Sequence, residues 1–151
     1  MNFQNGSMNN LVDFVSKNKS MIIAPAGYGK THAIAECLKL FSNGKQLILT
    51  HTHAGVASLK EKIHKEEIKT SLYHIETISS YALKFARAFY YKNDFPKQGD
   101  RDFEWNVIIN HASEIISTAI VKNIVKRSYT GLFVDEYQDC TSTQHNFIMV
   151  L

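Results

Sequence analysis

Residues 22–36 read IIAPAGYGKTHAIAE. The stretch opens as an apolar run, breaks into Ala24-Pro25-Ala26-Gly27-Tyr28-Gly29, and resumes at Lys30-Thr31 with apolar residues at helical spacing. "SMIIAPA" (20–26) is short, β-branched and ended by Pro and Gly, the signature of a buried strand. From Lys30 to Phe41, the positions Ala33, Ile34, Cys37, Leu38 and Phe41 follow a helical period. A strand that passes through glycines into a helix is the setting of a phosphate-binding loop. Gly27 and Gly29 let the backbone turn so tightly that its N–H groups point inward. The helix beginning near Lys30 aims its N-terminal dipole at the same point. The segment A-P-A-G-Y-G-K-T is a Walker A pattern with Ala24 in place of the first glycine. Ala24, Pro25, Ala26, Gly27, Tyr28, Gly29, Lys30, Thr31 and His32 are therefore the expected nucleotide-holding residues. Lys30 would reach the β- and γ-phosphates, and the Thr31 hydroxyl would ligate Mg²⁺.

The rest of the chain continues this rhythm. "QLILT" (46–50) reads as a second buried strand, followed by a helix carrying Val56, Leu59 and Ile63. "SLYHIE" (71–76) is a weaker strand, and Ile78, Tyr81, Ala82, Phe85 and Phe89 then repeat at helical spacing. Leu11, Val12, Phe14 and Val15 suggest a short helix near the start. A polar loop (90–102) leads into one longer apolar stripe: Trp105, Ile108, Ile109, Ala112, Ile116, Ala119, Ile120 and Ile124. "GLFVDE" (131–136) is a third clear strand, and Thr141 or Ser142 caps a last helix with Phe147 and Ile148. Continuous apolar strands alternating with helices predict an α/β fold, a parallel sheet flanked by helices. The stretch from about 88 to 127 is expected to be a small helical insertion in a single domain spanning 1–151.

A phosphate loop needs a carboxylate on a neighbouring strand to hold its metal, and "LFVDEYQD" (132–139) supplies one. Leu132, Phe133 and Val134 make the strand, and Asp135 stands at its C-terminal end, where open α/β sheets bind ligands. Asp135 is expected to hold Mg²⁺, and Glu136 to orient and deprotonate an attacking water. Thr31 and Asp135 thus form the expected metal set, with ATP and Mg²⁺ the expected cofactors.

Bulk properties narrow the class. Hydrophobic residues make up 44% and charged residues 21%, which excludes disorder from composition. The net charge of +3 permits a polyanionic partner without demanding one. The cysteines, Cys37 and Cys140, form no C-x-x-C, which fits a reducing, cytoplasmic setting. The polar start, MNFQNGSMNN, lacks a secretory h-region, and no apolar run approaches membrane-spanning length, so no membrane partner is expected.

Together these residues resemble the UvrD/Rep-like DNA helicases of superfamily 1. The run Asp135-Glu136-Tyr137-Gln138-Asp139 is similar to that family's Walker B motif D-E-x-Q-D, and Gln144 fits its continuation. "LTHTHAGVASLKEKI" (49–63) resembles motif Ia, and "IETISSYALKFAR" (75–87) resembles motif Ib. The resemblance implies a RecA-like motor domain that binds ATP at the sheet edge and single-stranded DNA across its top. It further implies 3′-to-5′ translocation driven by hydrolysis. In this reading Lys30, Glu136 and Gln138 are catalytic, with Gln138 coupling the nucleotide to neighbouring motifs. Thr50, His51, Thr52, His53 and Ser79 lie along the DNA path. Hydroxyls and a helix N-terminus can bind phosphates without reading sequence, and a ring at His51 could stack on a base. His51-x-His53 as a metal site would lack matching ligands nearby.

The chain departs from the family pattern in several places. By spacing, the place of the family's adenine-reading Gln falls near Asn9 or Asn10, and neither is Gln. Motif Ia commonly has an aromatic at the place of His51 and Asn-Lys at His53-Ala54, and motif Ib commonly has His at Ser79. The sequence ends at NFIMVL, before motif III and the second motor domain that the resemblance leads one to expect. The expectation is an amino-terminal, C-terminally truncated part of the first motor domain, unable to unwind DNA alone. The second motor domain, or a partner protein supplying it, would complete the cleft. The alternative is a stand-alone nucleotide-binding module that regulates a partner.

Overall fold

A computed structural model of the protein describes residues 30–41, 43–89, 95, 99 and 104–151. The expected first strand, the glycine turn at 24–29 and the short helix near 11–15 lie outside the described residues. The described elements run α1 (Lys30–Phe41), β1 (Gln46–Thr50), α2 (His53–Lys65), a 3₁₀ turn (Thr70–Leu72) and β2 (Tyr73–Thr77). Then come α3 (Ile78–Ala88), α4 (Trp105–Ser117), α5 (Ala119–Ser128), β3 (Gly131–Val134), a second 3₁₀ turn (Tyr137–Asp139) and α6 (Ser142–Val150).

The protein is α/β, with a parallel three-stranded sheet in the order β2-β1-β3. Helices cover both faces, and the central strand shows why. All five residues of β1 are buried, as a strand covered on both sides requires. Alternation along that strand divides the core. Leu47 and Leu49 face Ile78, Tyr81, Ala82, Ile109, Ile116 and Phe147, from α3, α4 and α6. Ile48 faces the other way, onto Ile34 and Leu38 of α1 and Leu59 and Ile63 of α2. Each fully buried Leu or Ile contributes about 1.5–3 kcal/mol. The four residues of β3 are only half-buried, because β3 is an edge of the described sheet.

The register brings the strand ends level. Thr50 pairs with Thr77, and Leu49 pairs with Val134. Asp135 extends the ladder by donating its N–H to the Leu49 carbonyl at 2.9 Å. Helices α2 and α3 start directly from this edge. Thr52 caps α2 by accepting the Gly55 N–H at 3.0 Å, and Thr77 caps α3 by accepting the Ser80 N–H at 3.1 Å.

The apolar stripe expected from Trp105 to Ile124 is not one helix. Thr118 takes extended backbone angles (φ −66°, ψ 142°) between α4 and α5. Its hydroxyl donates to the Ile115 carbonyl at 2.7 Å. Ser113 and Ser117 likewise bond back to Ile109 and Ser113. Such side-chain bonds compete with the helical ladder. The break resets the helical phase. Val121 and Val125 turn inward, while Ile120 and Ile124 stand 75% and 53% exposed. Phe89, at helical spacing from Phe85, caps the end of α3 and is 48% exposed. Among the described residues no helix is long and apolar enough to cross a membrane.

Candidate nucleotide site at the carboxyl edge of the sheet

Lys30 opens α1, and Glu136 follows β3. The fold joins them across 106 positions of sequence: Lys30 Nζ donates to Glu136 Oε2 at 2.7 Å. Gln138 Nε2 donates to the same oxygen. These two hydrogen bonds, Lys30's first, hold the Glu136 carboxyl below the usual range. Glu136 itself adopts left-handed angles (φ 53°, ψ 42°), which cost a residue bearing a Cβ about 1–3 kcal/mol and cluster at functional sites.

Asp135 behaves differently. Burial pushes its carboxyl up, the neighbouring Glu136 charge adds to this, and Lys30 and Lys62 partly offset it. Two adjacent carboxylates, one desolvated, make a place where a further cation is favoured. Thr31 follows Lys30 on α1, and Lys62 Nζ approaches its hydroxyl at 3.5 Å, the long limit of a hydrogen bond. The donor set (one hydroxyl, one desolvated carboxylate, one ammonium) fits a divalent cation with its phosphates. His32 is exposed, with its ring near Glu36 and Glu66 on the flank of α1, not beside the acidic pair. Ala24 to Gly29 lie outside the described residues.

A sequence profile described as an AAA domain matches residues 9–151. The chain belongs to that family. It is a P-loop domain of the kind found in UvrD/Rep-type helicases, which makes it a nucleotide-binding domain of ATPase type. Comparison with curated proteins and with solved structures gives no match.

In this AAA domain the residues expected along a DNA path divide into three kinds. Thr50 is 3% exposed, because its side chain turns beneath Gly55, and it offers no surface for an external contact. A Cβ on Gly55 would meet Thr50 Oγ1 at 2.7 Å, so glycine is needed for this close approach. The Thr52 hydroxyl is used as the α2 cap. His53 is exposed at the first position of α2, Ser79 is half-buried in the first turn of α3, and His51 is half-buried against the acidic loop. His51 Nε2 lies 3.1 Å from the Glu136 carbonyl and 3.5 Å from Cys140 Sγ.

Sequence reading missed Lys62 and Cys140. Lys62 stands in the last turn of α2 and Cys140 directly follows the D-E-x-Q-D run, but residue order does not mark their approach to Thr31 and His51. Gln144 has a structural role. Its side chain accepts the Thr141 N–H at 3.0 Å while Thr141 Oγ1 accepts the Gln144 N–H at 3.2 Å. This capping box starts α6 and anchors the acidic loop to the core through Phe147.

Proposed function

We propose that this domain binds Mg-ATP and hydrolyses it as the first motor domain of a UvrD/Rep-like translocase, coupling hydrolysis to 3′-to-5′ movement on single-stranded DNA. The observation that carries the reading is the Lys30–Glu136 contact, which unites the start of the helix after the glycine turn with the D-E-x-Q-D loop. Lys30 would bind phosphate oxygens, and Thr31 and Asp135 would hold the magnesium ion. The ion supplies charge neutralisation on the transferring phosphoryl group. Glu136 would orient a water and take its proton, and Gln138, already on the Glu136 carboxylate, keeps that carboxylate aimed. Lys30 donates to Glu136, so phosphate binding and the ion pair would compete for one ammonium. His51, His53 and Ser79 are the residues through which single-stranded DNA would be felt, at the edge from which α2 and α3 begin.

The test is Mg-ATP binding by calorimetry, followed by phosphate release with and without single-stranded DNA, beside Lys30→Ala. Binding that the variant loses, and hydrolysis that DNA stimulates, is the expected result. A folded wild-type chain that binds no Mg-ATP would refute the reading. Binding and hydrolysis indifferent to DNA would remove the translocase part and leave a nucleotide-binding module.

A further inference from the structure

The left-handed backbone of Glu136 persists only because its surroundings hold it. Its carbonyl shows two of the holds. One lone pair accepts the Asp139 N–H at 3.0 Å and closes the 3₁₀ turn Tyr137–Asp139. The other faces His51 Nε2 at 3.1 Å, a contact between residues 85 positions apart. A carbonyl only accepts, so Nε2 carries the proton and donates it. Cys140 Sγ, 3.5 Å from the same nitrogen, is then a second and weaker acceptor of that N–H. His51 directly follows β1, whereas Glu136 is the second residue past β3. The ring therefore ties together the loops at the ends of adjacent strands. An aromatic ring without an N–H would fill the same space and could not donate.

We infer that His51 is a positioning residue: its Nε2–H fixes the Glu136 backbone and, through it, the aim of the Glu136 carboxylate. This rests on the proposed role of Glu136 toward water. It also gives the loop after β1 a direct mechanical link to the hydrolytic loop, so that a ligand moving His51 moves Glu136.

Two substitutions separate this role from base stacking. His51→Phe keeps a flat ring and removes the donor, and His51→Gln keeps a donor and removes the ring. Without DNA, His51→Phe is expected to lower kcat for Mg-ATP about fivefold, the loss of one net hydrogen bond, with KM little changed. His51→Gln is expected to recover most of that loss. The reverse order, with His51→Phe like wild type and His51→Gln impaired only when DNA is present, would overturn the proposal in favour of stacking. Imidazole ¹⁵N spectra of the wild-type chain give a readout independent of activity. A ring protonated on Nε2 is expected, and a neutral ring protonated on Nδ1 removes the hydrogen bond whatever the kinetics show. A wild-type chain that binds Mg-ATP without hydrolysing it refutes the role given to Glu136. The positioning role falls with it, while the tautomer still reports whether the bond exists.

Discussion

Glu136→Gln should separate binding from hydrolysis in opposite directions. The Lys30 ammonium is committed to Glu136 Oε2 at 2.7 Å, with side-chain exposures of 18% and 38%. A pair this open to water is screened, so its worth is about 0.2–1 kcal/mol. A glutamine of the same shape keeps the acceptor oxygen and removes the charge. Lys30 is then released at lower cost, and Mg-ATP affinity should rise by about 1.4- to fivefold, the same energy expressed as a ratio. Hydrolysis should fall by about 10²- to 10⁴-fold, the contribution of a positioned general base. Calorimetry with Mg-ATP and a phosphate-release assay on the same preparation measure both. Weaker binding by Glu136→Gln would show that the ion pair is no competitor of phosphate. Hydrolysis at the wild-type rate would show that Glu136 is not the base.

Three further outcomes are expected. The Cys37 thiol is 3% exposed and pushed up to about 11, by burial first and the Glu36 charge second, so a thiol reagent at pH 8 should modify the half-buried Cys140 well before Cys37; the opposite order in mass-spectrometric mapping contradicts the packing of α1. Thr141→Ala removes the capping box of α6 and should cost about 0.5–2 kcal/mol in urea denaturation, and an unchanged midpoint would mean the cap carries no stability. Gly55→Ala gains roughly 1 kcal/mol of helix propensity but drives a Cβ to 2.7 Å from the buried Thr50 Oγ1, so Tm should fall; a rise would show that Thr50 can yield.

Much of the fold is legible because its strands are extreme. "QLILT" is short, apolar through its middle and flanked by polar residues, the pattern of a strand buried on both faces, and β1 is that strand. α1 buries Ala33, Ile34, Cys37 and Leu38 as their spacing requires. The region after Trp105 is less legible because two apolar stripes overlap there. Ile120 and Ile124 continue the period of Ile116, while Val121 and Val125 offer an equally apolar face one residue on. Which face wins is set by the break at Thr118, whose only local sign is the Ser117-Thr118 pair. The acidic loop announces itself by residue type, but its wiring does not. Lys30 to Glu136, His51 to Glu136 and Lys62 to Thr31 are contacts between distant segments, created by the strand order β2-β1-β3 and the helices above it.

The level ends of the strands have an electrical consequence. Helices α1, α2 and α3 all begin near one edge, and each N-terminus carries roughly half a positive charge. Glu136 already sits at that mouth on Lys30, so the chain supplies its own anion. A tethered carboxylate is present at the high effective concentration of an intramolecular group. Chloride or sulfate from solution would have to displace it and would gain little in exchange. A ligand that brings several linked phosphates and its own divalent cation can displace the carboxylate at several points at once. The edge is thereby selective by competition, turning away small anions before any feature of the base or sugar is read.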